Sequence, residues 1–130
     1  MPNAGENSQK KILLLEDEET LAAMYKSKFE REGMAVDLSS DGESGLAKAK
    51  ATQYDIVLVD IIMPKLDGFG VTKALRALPA YKNTPIILLS NLGQEEDMVK
   101  GKSLGATDYL VKANFTPAQV VKKIKDLTAK

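Results

Sequence analysis

Lys11 to Thr20 reads KILLLEDEET. Four apolar residues, Ile12 to Leu15, run straight into four acids, Glu16, Asp17, Glu18 and Glu19. A short apolar run bounded by charge is the pattern of a strand buried on both faces. Beyond it the period changes. Leu21, Met24, Tyr25 and Phe29 recur at helical spacing, and Gly33 stands where a helix ends in a left-handed residue. The stretch is a strand passing into a helix, with acids at the junction.

The same alternation continues along the chain. MAVDL (34–38) reads as a second strand, followed by Asp41 as an N-cap and a helix through Leu46 and Ala49 to about Thr52. DIVLVD (55–60) reads as a third, and beyond a loop with Pro64 and Asp67-Gly68 a helix carries Val71, Leu75 and Leu78 on one face. PIILLS (85–90) is a fourth strand, leading to a helix from about Gln94 to Ser103. TDYLV (107–111) is a fifth, and Thr116-Pro117 caps and starts a last helix with Val120, Val121, Ile124 and Leu127. Five strand–helix pairs imply right-handed crossovers and a parallel sheet covered on both faces, a three-layer, doubly wound α/β sandwich. A closed eight-fold barrel needs roughly 250 residues, more than this chain has.

Composition bounds the chemistry. The chain has 130 residues, 44% hydrophobic and 28% charged, with 18 basic and 18 acidic side chains. That is the profile of one globular domain, here residues 11–130, and residues 1–10 read as a disordered polar tail. Zero net charge gives no overall attraction to nucleic acid or to an anionic membrane, so neither is an expected direct partner. Cysteine and histidine are both absent, which excludes disulfides, thiol catalysis, imidazole acid–base chemistry and His- or Cys-bound zinc. With no signal-peptide core and no apolar run of about 18 residues, the expected location is cytoplasmic.

In an open parallel sheet, ligands bind outside the carboxyl ends of the strands. The first strand ends in Glu16-Asp17, the third in Asp60, the fourth in Ser90 and the fifth in Lys112. Singly, each is an ordinary cap, loop hydroxyl or surface lysine. Together they put three carboxylates, a hydroxyl and an amine on one sheet edge. Crowded carboxylates repel one another unless a cation intervenes. Mg²⁺ suits such a group because it takes one or two carboxylates and leaves positions for water and phosphate oxygens. Glu18 and Glu19 fall in the first helical turn, where acids meet the helix dipole favourably.

ILLLEDEE, DIVLVDIIMPKLDGFGV, PIILLSN and GATDYLVKANF, in this order and spacing, resemble the receiver domain of two-component response regulators over about residues 10 to 128. The resemblance implies a flavodoxin-like (βα)5 fold with strand order 2-1-3-4-5. It implies that Asp60 accepts a phosphoryl group from a histidine kinase or histidine phosphotransfer protein. It further implies that Asp17 binds Mg²⁺ directly, that Glu16 acts largely through water, and that Ile62 lends its backbone carbonyl to the metal. Ser90 and Lys112 would bind the phosphoryl oxygens, with Ser90 and Tyr109 forming the switch. Such a domain is a signalling device and not a turnover enzyme. It would act on a downstream protein, or on a second copy of itself, through the surface of residues 94–128, which carries Asp97, Lys100, Asp108, Lys122 and Lys123.

Two positions depart from the family pattern. Ala113 follows Lys112 where proline is common; a cis bond before alanine costs about 2.5 to 4 kcal/mol, so a trans bond is expected. Asn91 is bulkier than the usual residue after Ser90, which alters access to Asp60. Three other readings compete. A haloacid-dehalogenase-type phosphatase would carry a second acid two residues after its nucleophile, where Ile62 stands. A flavodoxin-like cofactor carrier would need a phosphate cradle where four acids stand. The third is a receiver fold kept as a protein-interaction module without phosphorylation, against which the five site residues argue.

Overall fold

The computed structural model describes residues 9–91 and 93–128. The expected tail falls on residues 1–8, outside the described residues, and on Gln9 and Lys10, which are exposed and outside any helix or strand. Lys10 already belongs to the fold's edge, since its carbonyl accepts from Ala35 N at 2.9 Å.

Five strands, β1 (Lys11–Leu15), β2 (Ala35–Ser39), β3 (Ile56–Asp60), β4 (Ile86–Ser90) and β5 (Asp108–Val111), form one parallel sheet in the order β2-β1-β3-β4-β5. The helices are α1 (Glu19–Arg31), α2 (Gly42–Ala51), α3 (Gly68–Arg76), α4 (Glu95–Ser103) and α5 (Pro117–Thr128). Short 3₁₀ segments, Pro79–Tyr81 and Lys112–Asn114, precede β4 and follow β5.

Side chains alternate across each strand, and the alternation splits the core in two. Leu13, Leu15, Val57, Val59, Leu88 and Tyr109 pack beneath α2, α3 and α4. Ile12, Leu14, Ile56, Leu58, Leu89 and Leu110 pack beneath α1 and α5. Strands covered on both faces are apolar up to their carboxyl ends for this reason, and β3 and β4 are buried throughout.

Helix ends follow the cap chemistry in the sequence. Asp41 Oδ1 accepts from Ser44 N at 2.7 Å and Asp67 Oδ1 from Gly70 N at 2.8 Å. At α5, Thr116 Oγ1 accepts from Gln119 N while Gln119 Oε1 accepts from Thr116 N, a reciprocal capping box. Gly33, at φ +85°, ends the turn after α1.

Several boundaries differ from the sequence expectation, each for a local reason. Met34 closes the α1 turn, with its N–H on Phe29 O, and so precedes β2. Pro85 has no N–H to give the ladder, and β4 begins at Ile86. Leu78 lies beyond α3, which stops at Arg76 ahead of Pro79. The Lys112–Ala113 bond is trans, as are all the described peptide bonds.

Candidate functional site

Glu16, Asp60 and Lys112 continue the alternation of Ile12 and Leu14, of Ile56 and Leu58, and of Leu110, so all three side chains leave the sheet on the α1/α5 side. They meet there. Lys112 Nζ lies 2.6 Å from Glu16 Oε1 and 2.8 Å from Asp60 Oδ2. The other oxygens take backbone donors: Glu18 N to Glu16 Oε2 at 3.2 Å, and Ile62 N to Asp60 Oδ1 at 3.2 Å. Glu16 is 4% and Asp60 6% exposed, whereas Asp17 faces solvent.

Burial is the leading influence on Glu16. It pushes the carboxyl up to about 7; the Lys112 hydrogen bond pulls down and the Asp60 charge pushes up. For Lys112, burial favours loss of the proton, but hydrogen bonds to Asp60 and Glu16 outweigh it and the ammonium is held above its usual range. The site is thus a buried cation shared by two carboxylates.

One oxygen each from Glu16, Asp17 and Asp60 can be drawn from within 4.8 Å of one another. Three carboxylates of this kind are a hard-oxygen donor set that fits a divalent cation such as Mg²⁺. They open into a cleft of about 310 Å³ that Glu18, Leu21, Ile62, Asn91 and Lys112 also line.

Ser90 stands apart from this lining. It ends β4 beside Asp60's strand, but it follows Ile86 and Leu88 in the alternation and points to the α2–α4 side. Tyr109, 5% exposed, packs in that same core layer. Ser90 and Tyr109 thus share one face of the sheet, while Asp60 and Lys112 share the other.

The loop that carries Asp60 forward is tightly bound. Lys65 has φ +69°, and Leu66 N reaches back to Pro64 O at 2.7 Å across it. Gly42 N donates to Pro64 O at 3.2 Å, and a Cβ at Gly42 would lie 1.9 Å from Leu66 O. Only glycine lets the start of α2 approach this loop so closely. Sequence reasoning missed this buttress, for which Asp41-Gly42 reads as an ordinary cap and helix start. It likewise missed Glu18 and Leu21 as cleft wall.

Residues 12–125 match the response regulator receiver domain family. The alkaline phosphatase synthesis transcriptional regulatory protein PhoP of Bacillus subtilis is 40% identical over 116 residues, 89% of this chain and 47% of that protein. The transcriptional regulatory protein ResD of the same organism is 36% identical over 122 residues, 94% of this chain and 49% of that one. The chain therefore spans about half the length of these relatives. Among solved structures, the Vibrio cholerae chemotaxis protein CheY4 superposes with TM-score 0.86 at 33% identity, covering 92% of this chain and 98% of that one. The receiver domain of the Pseudomonas aeruginosa sensor histidine kinase PA1611, which has a magnesium ion coordinated in its active-site cleft, gives TM-score 0.84 at 28% identity over 95% of this chain and 100% of its own. In motifs, strand order and the grouping of Glu16, Asp60 and Lys112 alike, this chain belongs to the response regulator receiver domains of two-component systems.

Proposed function

We propose that Asp60 is the phosphoacceptor, taking a phosphoryl group from a histidine kinase or a histidine phosphotransfer protein. One observation carries this reading: a single ammonium, Lys112, bridges two nearly buried carboxylates, Glu16 and Asp60, on the floor of a cleft that Asp17 completes. A carboxylate oxygen of Asp60 attacks phosphorus and a P–O bond forms. The P–N bond of phosphohistidine breaks, and its electron pair leaves with the imidazole. The reaction's loose transition state needs alignment and charge neutralisation above all. Lys112 supplies part of that positive charge, and Ser90, at the end of the neighbouring strand, would turn its hydroxyl across the sheet edge to reach a phosphoryl oxygen.

Glu16, Asp17, Asp60 and the backbone carbonyl of Ile62 would hold Mg²⁺, which neutralises charge on the phosphoryl oxygens when bound. Asp17 is the direct ligand in this reading because it is free to face the cleft. Glu16 is already engaged by Lys112 and by Glu18 N, which suits an indirect role. The domain receives and passes on a signal and does not turn over a small-molecule substrate. Its output is a contact with a downstream protein or a second copy of itself through residues 94–128, with Ser90 and Tyr109 as the switch. The cytoplasm is where its phosphodonors would meet it.

Incubation with acetyl phosphate and Mg²⁺ should add one phosphoryl group by intact mass spectrometry, and chelation should abolish the addition. Asp60→Asn should gain none. An Asp60→Asn protein that gains as much phosphate as the parent would place the acceptor elsewhere.

A further inference from the structure

β4 delivers two polar residues to the sheet edge, and they leave on opposite sides. Ser90 follows Ile86 and Leu88 toward α2–α4, whereas Asn91 follows Ile87 and Leu89 toward α1 and α5, the side of Glu16, Asp60 and Lys112. The register places Asn91 more closely. Leu89 pairs with Asp60 in β3 and with Leu110 in β5. Asn91 and Lys112 each come two residues later, so they stand side by side one step beyond Asp60, on backbones about 4.8 Å apart. Both line the cleft that Asp60 floors.

Donors are scarce there. The rest of the cleft wall is carboxylates, which only accept when ionised, and the apolar Leu21 and Ile62. Lys112 gives two of its three N–H groups to Glu16 and Asp60. Asn91 is exposed, and its carboxamide makes no hydrogen bond with any described residue, so both of its N–H groups are open to a ligand in the cleft. A phosphoryl group on Asp60 presents three acceptor oxygens and close to two negative charges.

We propose that Asn91 is a phosphoryl-binding residue: its carboxamide N–H donates to an oxygen of the phosphoryl group on Asp60, from the β4 side of the cleft and without any movement of Ser90. The role presupposes Asp60 as the phosphoacceptor. A side chain of this size also screens Asp60 from water, and the two effects are separable because leucine has the bulk without the N–H.

Binding of beryllofluoride, a mimic of the phosphoryl group, is measured with Mg²⁺ by NMR titration. Asn91→Leu and Asn91→Ala should both raise the half-saturating beryllofluoride concentration by roughly five- to tenfold, the loss of one hydrogen bond to a charged group in an open cleft. Mg²⁺ affinity without beryllofluoride should stay within about twofold of the parent's, because a carboxamide adds no charge to the carboxylate set. The Asn91 side-chain amide signals, identified by their absence in Asn91→Leu, should move downfield as the adduct forms. Parent-like affinity in Asn91→Leu overturns the inference by leaving only the screen. Amide signals that stay in place while the Asp60 backbone signal moves overturn it too, as does an equal loss of Mg²⁺ affinity, which would assign Asn91 to the metal. A parent that forms no adduct and takes no phosphate on Asp60 refutes the phosphoacceptor reading and this role together, whereas the other three outcomes refute the role of Asn91 alone.

Discussion

Glu16 is the residue whose cost is best placed to be measured. Burial pushes its folded carboxyl up to about 7, above the value of about 4.3 usual for an unfolded glutamate. The folded state therefore holds a proton that the unfolded state has released between these values. The contribution to stability is full below the unfolded value and lost as pH rises through the folded one. Without divalent cation, urea unfolding should show stability falling between about pH 5 and pH 8, by on the order of 1–2 kcal/mol. Glu16→Gln should flatten that slope, and Mg²⁺ should restore stability at the alkaline end by neutralising the ionised cluster. A slope that persists in Glu16→Gln would assign the titration to another group. The run of acids in the sequence announces a charged site. It does not announce that Glu16 is buried and shared with Lys112, because that contact joins residues 96 positions apart.

At the scale of elements, the start of α2 is a structural part of the site. The loop after Asp60 turns back at Lys65 through a positive φ that side chains other than glycine adopt at a cost. Gly42 supports it by direct backbone approach. Gly42→Ala should lower stability by about 2–3 kcal/mol in thermal or urea unfolding, since backbone and not a flexible side chain must yield. It should also slow phosphorylation of Asp60 although α2 contributes nothing to the cleft wall. Unchanged rates would show that the loop holds its shape unaided. Strands and helices were legible because burial on both faces leaves continuous apolar runs such as ILLL and IVLV, and because Asp41, Asp67 and Thr116 cap in the ways their side chains allow. The 3₁₀ turn at Pro79–Tyr81 was not legible. Its Tyr81 is held by Ala49 O and Thr52 O, partners that tertiary packing alone supplies. The division of Ser90 from Asp60 follows from counting alternate residues in β4 and β3, which needs the register between the strands as well as their positions.

Across the whole molecule, two arrangements tie distant segments together. Arg76, at the end of α3, donates to Tyr81 O and Thr84 O at 2.6 Å, to Gly105 O at 2.8 Å and to Thr107 Oγ1 at 3.3 Å. Arg76→Met should cost about 2–4 kcal/mol in unfolding free energy by stranding those acceptors, and Arg76→Lys should recover little, because an ammonium cannot span a fork of this breadth. The second arrangement concerns the path from phosphate to partner. Ser90 and Tyr109 occupy the same side of the sheet, in neighbouring strands, one register step apart: Ser90 pairs with Val111, and Leu88 with Tyr109. Movement of the Ser90 hydroxyl toward a phosphoryl oxygen across the edge at Asp60 would loosen the packing around Tyr109, which a ring in an edge strand can exploit. The outer surface above it is already organised. Lys100 lies 4.5 Å over the Phe69 ring and Lys123 pairs with Asp108 at 3.7 Å, so a shift in β5 would be felt by charges on α4 and α5 alike. A bias of a few kcal/mol between two such states suffices to change what binds there. Beryllofluoride with Mg²⁺, a mimic of the phosphoryl group, should therefore shift amide NMR signals through residues 94–128 as well as around Asp60. In Tyr109→Ala the distant shifts should shrink while those near Asp60 persist. Shifts limited to the loops bearing Glu16, Asp60, Ser90 and Lys112 would mean that phosphate is received without being reported to this face.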